Sequence, residues 1–265
     1  MIEFTKMEGL GNDYVYVDTS RFPVEQPSHV AIKVSDRHFG IGSDGLVLIG
    51  GSQVADRSMR IFNADGSEAM MCGNASRCIG RYLYEKGLCR KKEIRLETLS
   101  GIRILKINTR EDDSVESVTV DMGLFSPVGA GPVNAYGRVF EGQGISVGNP
   151  HYVIFTDEEV QDKADVYGPV IECDPMFPDR TNVEFARMVA PGRIRMRVWE
   201  RGSGITMACG TGACATAAAA FKAGLTDGKA DILMDGGELH IEIDPSGRVF
   251  MTGPANICFE GTVSI

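Results

Sequence analysis

Met70-Met71-Cys72-Gly73-Asn74-Ala75-Ser76-Arg77-Cys78 returns in outline 137 residues later as Met207-Ala208-Cys209-Gly210-Thr211-Gly212-Ala213-Cys214-Ala215. The same displacement lays Gly11-Asn12 on Gly148-Asn149, Met59-Arg60-Ile61-Phe62-Asn63 on Met196-Arg197-Val198-Trp199-Glu200, and Gly87-Leu88 on Gly224-Leu225. One constant offset held over about 77 positions implies duplication of a supersecondary unit, hence two similar lobes whose equivalent features face each other across a pseudo-twofold cleft. Each half predicts alternating strands, such as Tyr14 to Asp18 and Arg195 to Trp199, then a Gly-containing turn, a single long helix and further strands. The helices are predicted from Asn74 to Lys86, stopped by Gly87, and from Thr211 to Ala223, stopped by Gly224. Small and apolar residues cover most of both helices, so each is expected inside its own wall of strands. Ile94 to Val120 supplies two or three strands, and Pro127 with Gly129-Ala130-Gly131-Pro132 marks the crossing between lobes. The domains expected are residues 1–121 plus 255–265, carrying Cys72, and residues 122–254, carrying Cys209.

Composition narrows the function classes. The 265 residues, 43% apolar and 24% charged, suffice for two modest globular domains. Against 27 basic residues stand 36 acidic ones, a formal charge of -9 that repels nucleic-acid backbones and anionic membranes. The densest basic run, Arg90 to Lys92, is too short to reverse that field, so neither partner is expected. Met1 to Lys6 lacks the apolar core of a signal peptide, and the weakly polar run Ala208 to Phe221 is too short to span a bilayer. A cytoplasmic setting follows, in which the 7 cysteines stay reduced rather than forming a disulfide scaffold.

Cys72 and Cys209 occupy the same place in their halves, the last residue before a turn that opens the central helix. Unpaired amides and the macrodipole at such an N-terminus stabilise negative charge, so they lower a thiol pKa and bind carboxylates. Two such helix starts would hold an amino-acid carboxylate with a sulfur on either side of its α-carbon. One thiolate removes the α-proton and the opposite thiol delivers another, which inverts the centre by general base and general acid. Cys78, Cys89, Cys173, Cys214 and Cys258 are read as ordinary small packing residues, Cys78 and Cys214 within the helices.

The two cysteine stretches resemble the cysteine motifs of diaminopimelate epimerases. So do Lys6-Met7-Glu8-Gly9-Leu10-Gly11-Asn12-Asp13, Phe62-Asn63-Ala64-Asp65-Gly66-Ser67-Glu68, Gly148-Asn149-Pro150-His151 and Glu200-Arg201-Gly202. The resemblance implies an α+β fold of two pseudo-symmetric lobes, each a β-barrel-like sheet wrapped around a central helix. It also implies epimerisation of LL-diaminopimelate to meso-diaminopimelate without pyridoxal phosphate, metal or other cofactor. Under it, Cys72 and Cys209 are the acid and base, and the amides of Gly73, Asn74, Gly210 and Thr211 bind the reacting carboxylate. Asn12, Asn63, Asn149, Asn182, Glu200 and Arg201 match the side chains that hold the amino groups and distal carboxylate, with His151 as a supporting residue. A fork-shaped guanidinium, a carboxylate and several amides suit a diamino dicarboxylic acid. A homodimer is left open. Two positions depart from common family residues: Ala75 stands where many members have Gly, and Gly45 where some have Gln.

Competing readings within the fold are a racemase for histidine, proline or lanthionine, or a phenazine-type isomerase, a branch that lacks the cysteine pair. A zinc module using Cys72, Cys78, Cys209, Cys214 and His151 would need spacings wider than usual structural zinc sites. A thiol-redox role lacks a C-x-x-C.

Overall fold

The computed structural model describes residues 1–264. The chain divides into two compact units, Met1–Asp121 with the segment beginning at Thr252, and the continuous stretch Met122–Met251.

In the first unit, Ile2–Gly9 pairs antiparallel with both Asn12–Asp18 and Asn256–Val263. Asn12–Asp18 then runs parallel to Gly45–Gly50, which pairs antiparallel with Arg57–Asn63. Arg57–Asn63 runs parallel to Glu93–Thr98, and that strand turns back through Gly101–Thr109. The second unit repeats the alternation: Pro150–Phe155 parallel to Asn182–Ala190, antiparallel to Arg193–Glu200, parallel to Lys229–Met234, antiparallel to Gly237–Ile243. Register carries the duplication too. Tyr14 stands opposite Gly45 and His151 opposite Asn182, the same pair displaced by 137 residues. After the central helices the offset drops by one, since Glu93 opposes Lys106 as Lys229 opposes Glu242.

Four helices complete the units: α1 Pro27–Ser35, α2 Gly73–Glu85, α3 Gln161–Glu172 and α4 Gly210–Lys222. α2 and α4 are the central helices, buried around most of their circumference. Small residues permit the close approach. A methyl at Gly80 would stand 3.0 Å from Val118 and 3.1 Å from Ile107, and α4 presents six buried alanines to the strands around it.

The expectation of a single helix per half is corrected by α1 and α3. They cover the outer faces, α1 packing Val30, Ala31 and Val34 on Val15, Val17, Leu46 and Leu48, and α3 packing Ala164 and Ile171 on Ile154, Val183 and Phe185. With both sheet faces covered, Tyr14 to Val17 and Leu46 to Ile49 are buried without alternation, as strands sandwiched between helices must be. The start of each central helix also moves by one residue, because Gly73 and Gly210 are already helical and each cysteine is the N-cap. Among the described residues no helix is long and apolar enough to cross a membrane.

Candidate active site

Cys72 has extended backbone and caps α2, its sulfur accepting the Ala75 amide at 3.5 Å. Serine, threonine and asparagine usually fill this role. The Cys72 thiol donates to Asn12 Oδ1 at 3.6 Å, and Asn74 Nδ2 donates to the same oxygen at 3.3 Å. Asn12 is held from behind, donating through Nδ2 to Asp44 at 2.8 Å, while Asp44 also accepts the Asp13 amide. Asn74 accepts from Arg77 Nη1 at 2.9 Å, a guanidinium with no exposed surface whose Nε donates to the Pro254 carbonyl. The strand residue opposite them must be small, since a methyl at Gly9 would stand 3.0 Å from Arg77 Nη2.

Cys209 caps α4 in the same manner, accepting the Gly212 amide at 3.4 Å, with Thr211 Oγ1 3.5 Å from the sulfur. Asn149, the counterpart of Asn12, donates to Thr211 Oγ1 at 3.3 Å. Its Oδ1 lies 3.1 Å from His151 Nε2, and His151 Nδ1 lies 2.6 Å from Glu184 Oε1. Glu200 accepts from Thr206 Oγ1 and also takes a hydrogen bond from the Cys209 side chain. Glu184 comes so near α4 that a methyl at Gly212 would meet its Oε1 at 2.8 Å. In the first half the corresponding positions are Ala75 and Val47, so an apolar side chain stands where the second half has Glu184.

The expected lowering of the thiol pKa is corrected at Cys209. Burial pushes this thiol well up, the Glu200 and Glu184 carboxylates push it further, and the Thr211 and Gly212 hydrogen bonds oppose them without prevailing. The helix terminus acts here against desolvation and two like charges. Burial likewise raises the Glu200 carboxyl. Cys78, buried in α2 and hydrogen-bonded to Tyr16, is pushed up to about 12, chiefly by desolvation, which fits an inert packing residue. Cys214 is buried too, but Cys173 and Cys258 are exposed, so packing does not account for those two.

The remaining expected residues fall in two groups. Asn182 donates to the Pro150 carbonyl and accepts the Arg201 amide at 3.0 Å, so it braces the turn carrying Arg201. The Arg201 side chain is exposed, with one donor on the Asp179 carbonyl. Asn63 lies at the end of its strand and bonds Ser67. At Gly45 no side chain fits: a methyl would stand 2.1 Å from the Phe62 carbonyl oxygen and 2.9 Å from the Tyr14 ring. Among the described residues no group of three or more His, Cys, Asp and Glu side chains is disposed to hold a metal. Asp44, Arg77 and Glu184 were not singled out from sequence. The available signal for Glu184 was a lone charge in the otherwise apolar run Val183 to Ala186.

The sequence profile described as diaminopimelate epimerase matches residues 4–127 and 144–258. Among curated relatives, the diaminopimelate epimerase of Parabacteroides distasonis is 58% identical, over 100% of this chain and 98% of its own length. That of Bacteroides thetaiotaomicron is 57% identical over 98% and 97%. Among solved structures, a phenazine biosynthesis protein of the PhzF family from Bacillus anthracis superposes with a TM-score of 0.77 at 17% identity, covering 100% and 99% of the two chains. A probable proline racemase from Agrobacterium radiobacter gives 0.72 at 16% identity, covering 100% and 93%. These distant likenesses bear on the fold alone, whereas the profile and the close relatives show that this chain belongs to the diaminopimelate epimerase family.

Proposed function

We propose that this chain is an isomerase converting LL-diaminopimelate to meso-diaminopimelate, with Cys72 and Cys209 as the acid and base on the two faces of the α-carbon. The observation that carries the reading is the equivalence of the two sulfurs, each capping a buried helix at the same point of a duplicated unit and each touched by an asparagine or its hydrogen-bond partner. The amides of Gly73, Asn74, Gly210 and Thr211, in the first turns of α2 and α4, hold the reacting carboxylate and stabilise the charge that develops on it. Asn12, Asn63, Asn149, Asn182, Glu200 and Arg201 take the amino groups and distal carboxylate. Glu200, raised by burial and hydrogen-bonded to Cys209, accepts the thiol proton when that sulfur must act as base. No cofactor is invoked. The same reading assigns the work to the cytoplasm, where thiols persist.

The test is incubation in D2O with LL-diaminopimelate, histidine and proline separately, following α-deuterium by NMR. Exchange with diaminopimelate alone is expected; exchange only with another amino acid overturns the substrate. Arg201→Lys is expected to raise KM by an amount corresponding to about 1.5–3 kcal/mol, because the planar fork is lost. An unchanged KM removes Arg201 from the distal carboxylate.

A further inference from the structure

The second half contains a feature that the duplication does not explain. Position 184 corresponds to Val47 and position 151 to Tyr14, so the first half carries no carboxylate–imidazole pair at the equivalent positions. Yet Glu184 is 0% exposed and His151 is 1% exposed. A carboxylate taken fully out of water is destabilising by several kcal/mol unless a partner is held beside it. Glu184 has one such partner through Oε1, the His151 Nδ1 at 2.6 Å, while Oε2 is buried without a hydrogen bond.

The contacts continue from that pair to the reactive sulfur. His151 Nε2 is 3.1 Å from Asn149 Oδ1, Asn149 Nδ2 donates to Thr211 Oγ1 at 3.3 Å, and Thr211 Oγ1 is 3.5 Å from Cys209 Sγ. The direction of donation along this chain follows from its buried end. Asn149 Nδ2 is on Thr211, which turns its Oδ1 to His151 Nε2, and an ionised Glu184 accepts at Nδ1, so both ring nitrogens face acceptors. With its oxygen engaged by the imidazole, Asn149 must offer its NH2 to Thr211. Thr211 then receives at oxygen and has its own hydrogen to give, and the remaining neighbour is Cys209.

We propose that Glu184 is a positioning residue of the active site: by fixing both nitrogens of His151 as donors, it orients the Asn149 amide and the Thr211 hydroxyl so that the chain ends in a hydrogen bond donated to the Cys209 sulfur. That donation favours the thiolate, and it stands beside the Gly212 amide that donates to the same atom. The groups facing this chain are Glu184, His151, Glu200 and Cys209, so the donor to sulfur opposes the two carboxylates that disfavour its ionisation. The first half has no counterpart: there the Cys72 thiol itself donates, to Asn12 Oδ1. The two sulfurs therefore differ toward their asparagine networks: Cys72 donates into its own, at Asn12 Oδ1, whereas Cys209 gives its hydrogen to Glu200 and receives from Thr211. This assignment rests on reading Cys209 as one of the two acid–base groups.

Replacing Glu184 by Gln leaves the shape almost unchanged but removes the obligatory acceptor. A neutral imidazole then suffices, and if the Gln oxygen takes the Nδ1 proton, Nε2 becomes an acceptor, Asn149 turns over, and Thr211 gives its hydrogen to Asn149 instead of to sulfur. The experiment is 15N NMR of ring-labelled protein near pH 7 in a background with His29, His38 and His240 replaced by Gln, which leaves His151 as the single imidazole. Both ring nitrogens of the parent are expected in the protonated range, and in Glu184→Gln one moves to the unprotonated range, with turnover roughly tenfold lower. A bare ring nitrogen in the parent, a measurement that needs no variant at Glu184, overturns the proposal. So does a Glu184→Gln protein that keeps both the doubly protonated signature and full turnover. If Cys209→Ser is inactive while Glu184→Gln is fully active, the wiring is wrong and the two-cysteine reading stands; if Cys209→Ser is active, that reading itself fails.

Discussion

Serine in place of Cys72 or of Cys209 is expected to cut epimerisation by at least about 10²-fold, the lower end of what a positioned acid–base group contributes. The fold should survive, because each cysteine is an N-cap and serine is the better capping residue. Loss of activity in a protein with unchanged melting would therefore report chemistry. A serine hydroxyl is a far weaker base than a thiolate, and inversion needs both faces served. Elimination from a β-halo substrate needs the base on one face only, so each variant is expected to retain it for one configuration, and the two variants for opposite ones. Chiral chromatography of the unreacted halide separates the outcomes; near parental epimerisation in either variant removes that cysteine from the mechanism.

The second large effect is expected at Arg77, and it is on stability. Arg77→Met fills similar volume but leaves the Pro254 carbonyl and Asn74 Oδ1 without their charged donor in a site closed to water. Hydrogen bonds to charged groups are worth about 1.5–3 kcal/mol each, and an orphaned buried acceptor adds its own desolvation cost. A loss of about 3 kcal/mol is expected in guanidinium unfolding. A change below about 1 kcal/mol would mean that solvent or a rearranged Asn74 satisfies those acceptors. The same variant should raise KM, since Asn74 loses the Arg77 hydrogen bond that helps to orient it toward Asn12.

Much of this is legible in the sequence where local chemistry decides the structure. The duplication shows as a fixed offset because side chains at equivalent points have the same packing task, and the two cysteines declare themselves because a helix start has a local signature. α1 and α3 are not legible in that way. Gln26 enters α1 through a left-handed conformation with no side-chain cap, and α3 starts at Val160 without one and contains Pro169. Both are held by the sheet face they cover, a tertiary cause. Arg77 and Glu184 are illegible for a related reason: a charged residue on a helix or strand is read as solvated until its partners are known, and theirs lie at Pro254 and His151. The direction of the Cys209 shift needs the same information, since Glu184 and Glu200 reach the sulfur only through folding.

The pairing of Ile2–Gly9 with Asn256–Val263 has a consequence for how the chain matures. The stretch Met122–Met251 is continuous and can close as soon as it has left the ribosome, while the unit holding Cys72 waits for its last strand until residues 256–263 are made. During that interval Ile2–Gly9 has only Asn12–Asp18 beside it and presents an unpaired edge to other nascent chains. The half that emerges first is thus the half that finishes last, and the thiol at position 72 gains its final surroundings only after residues 256–263 have been made.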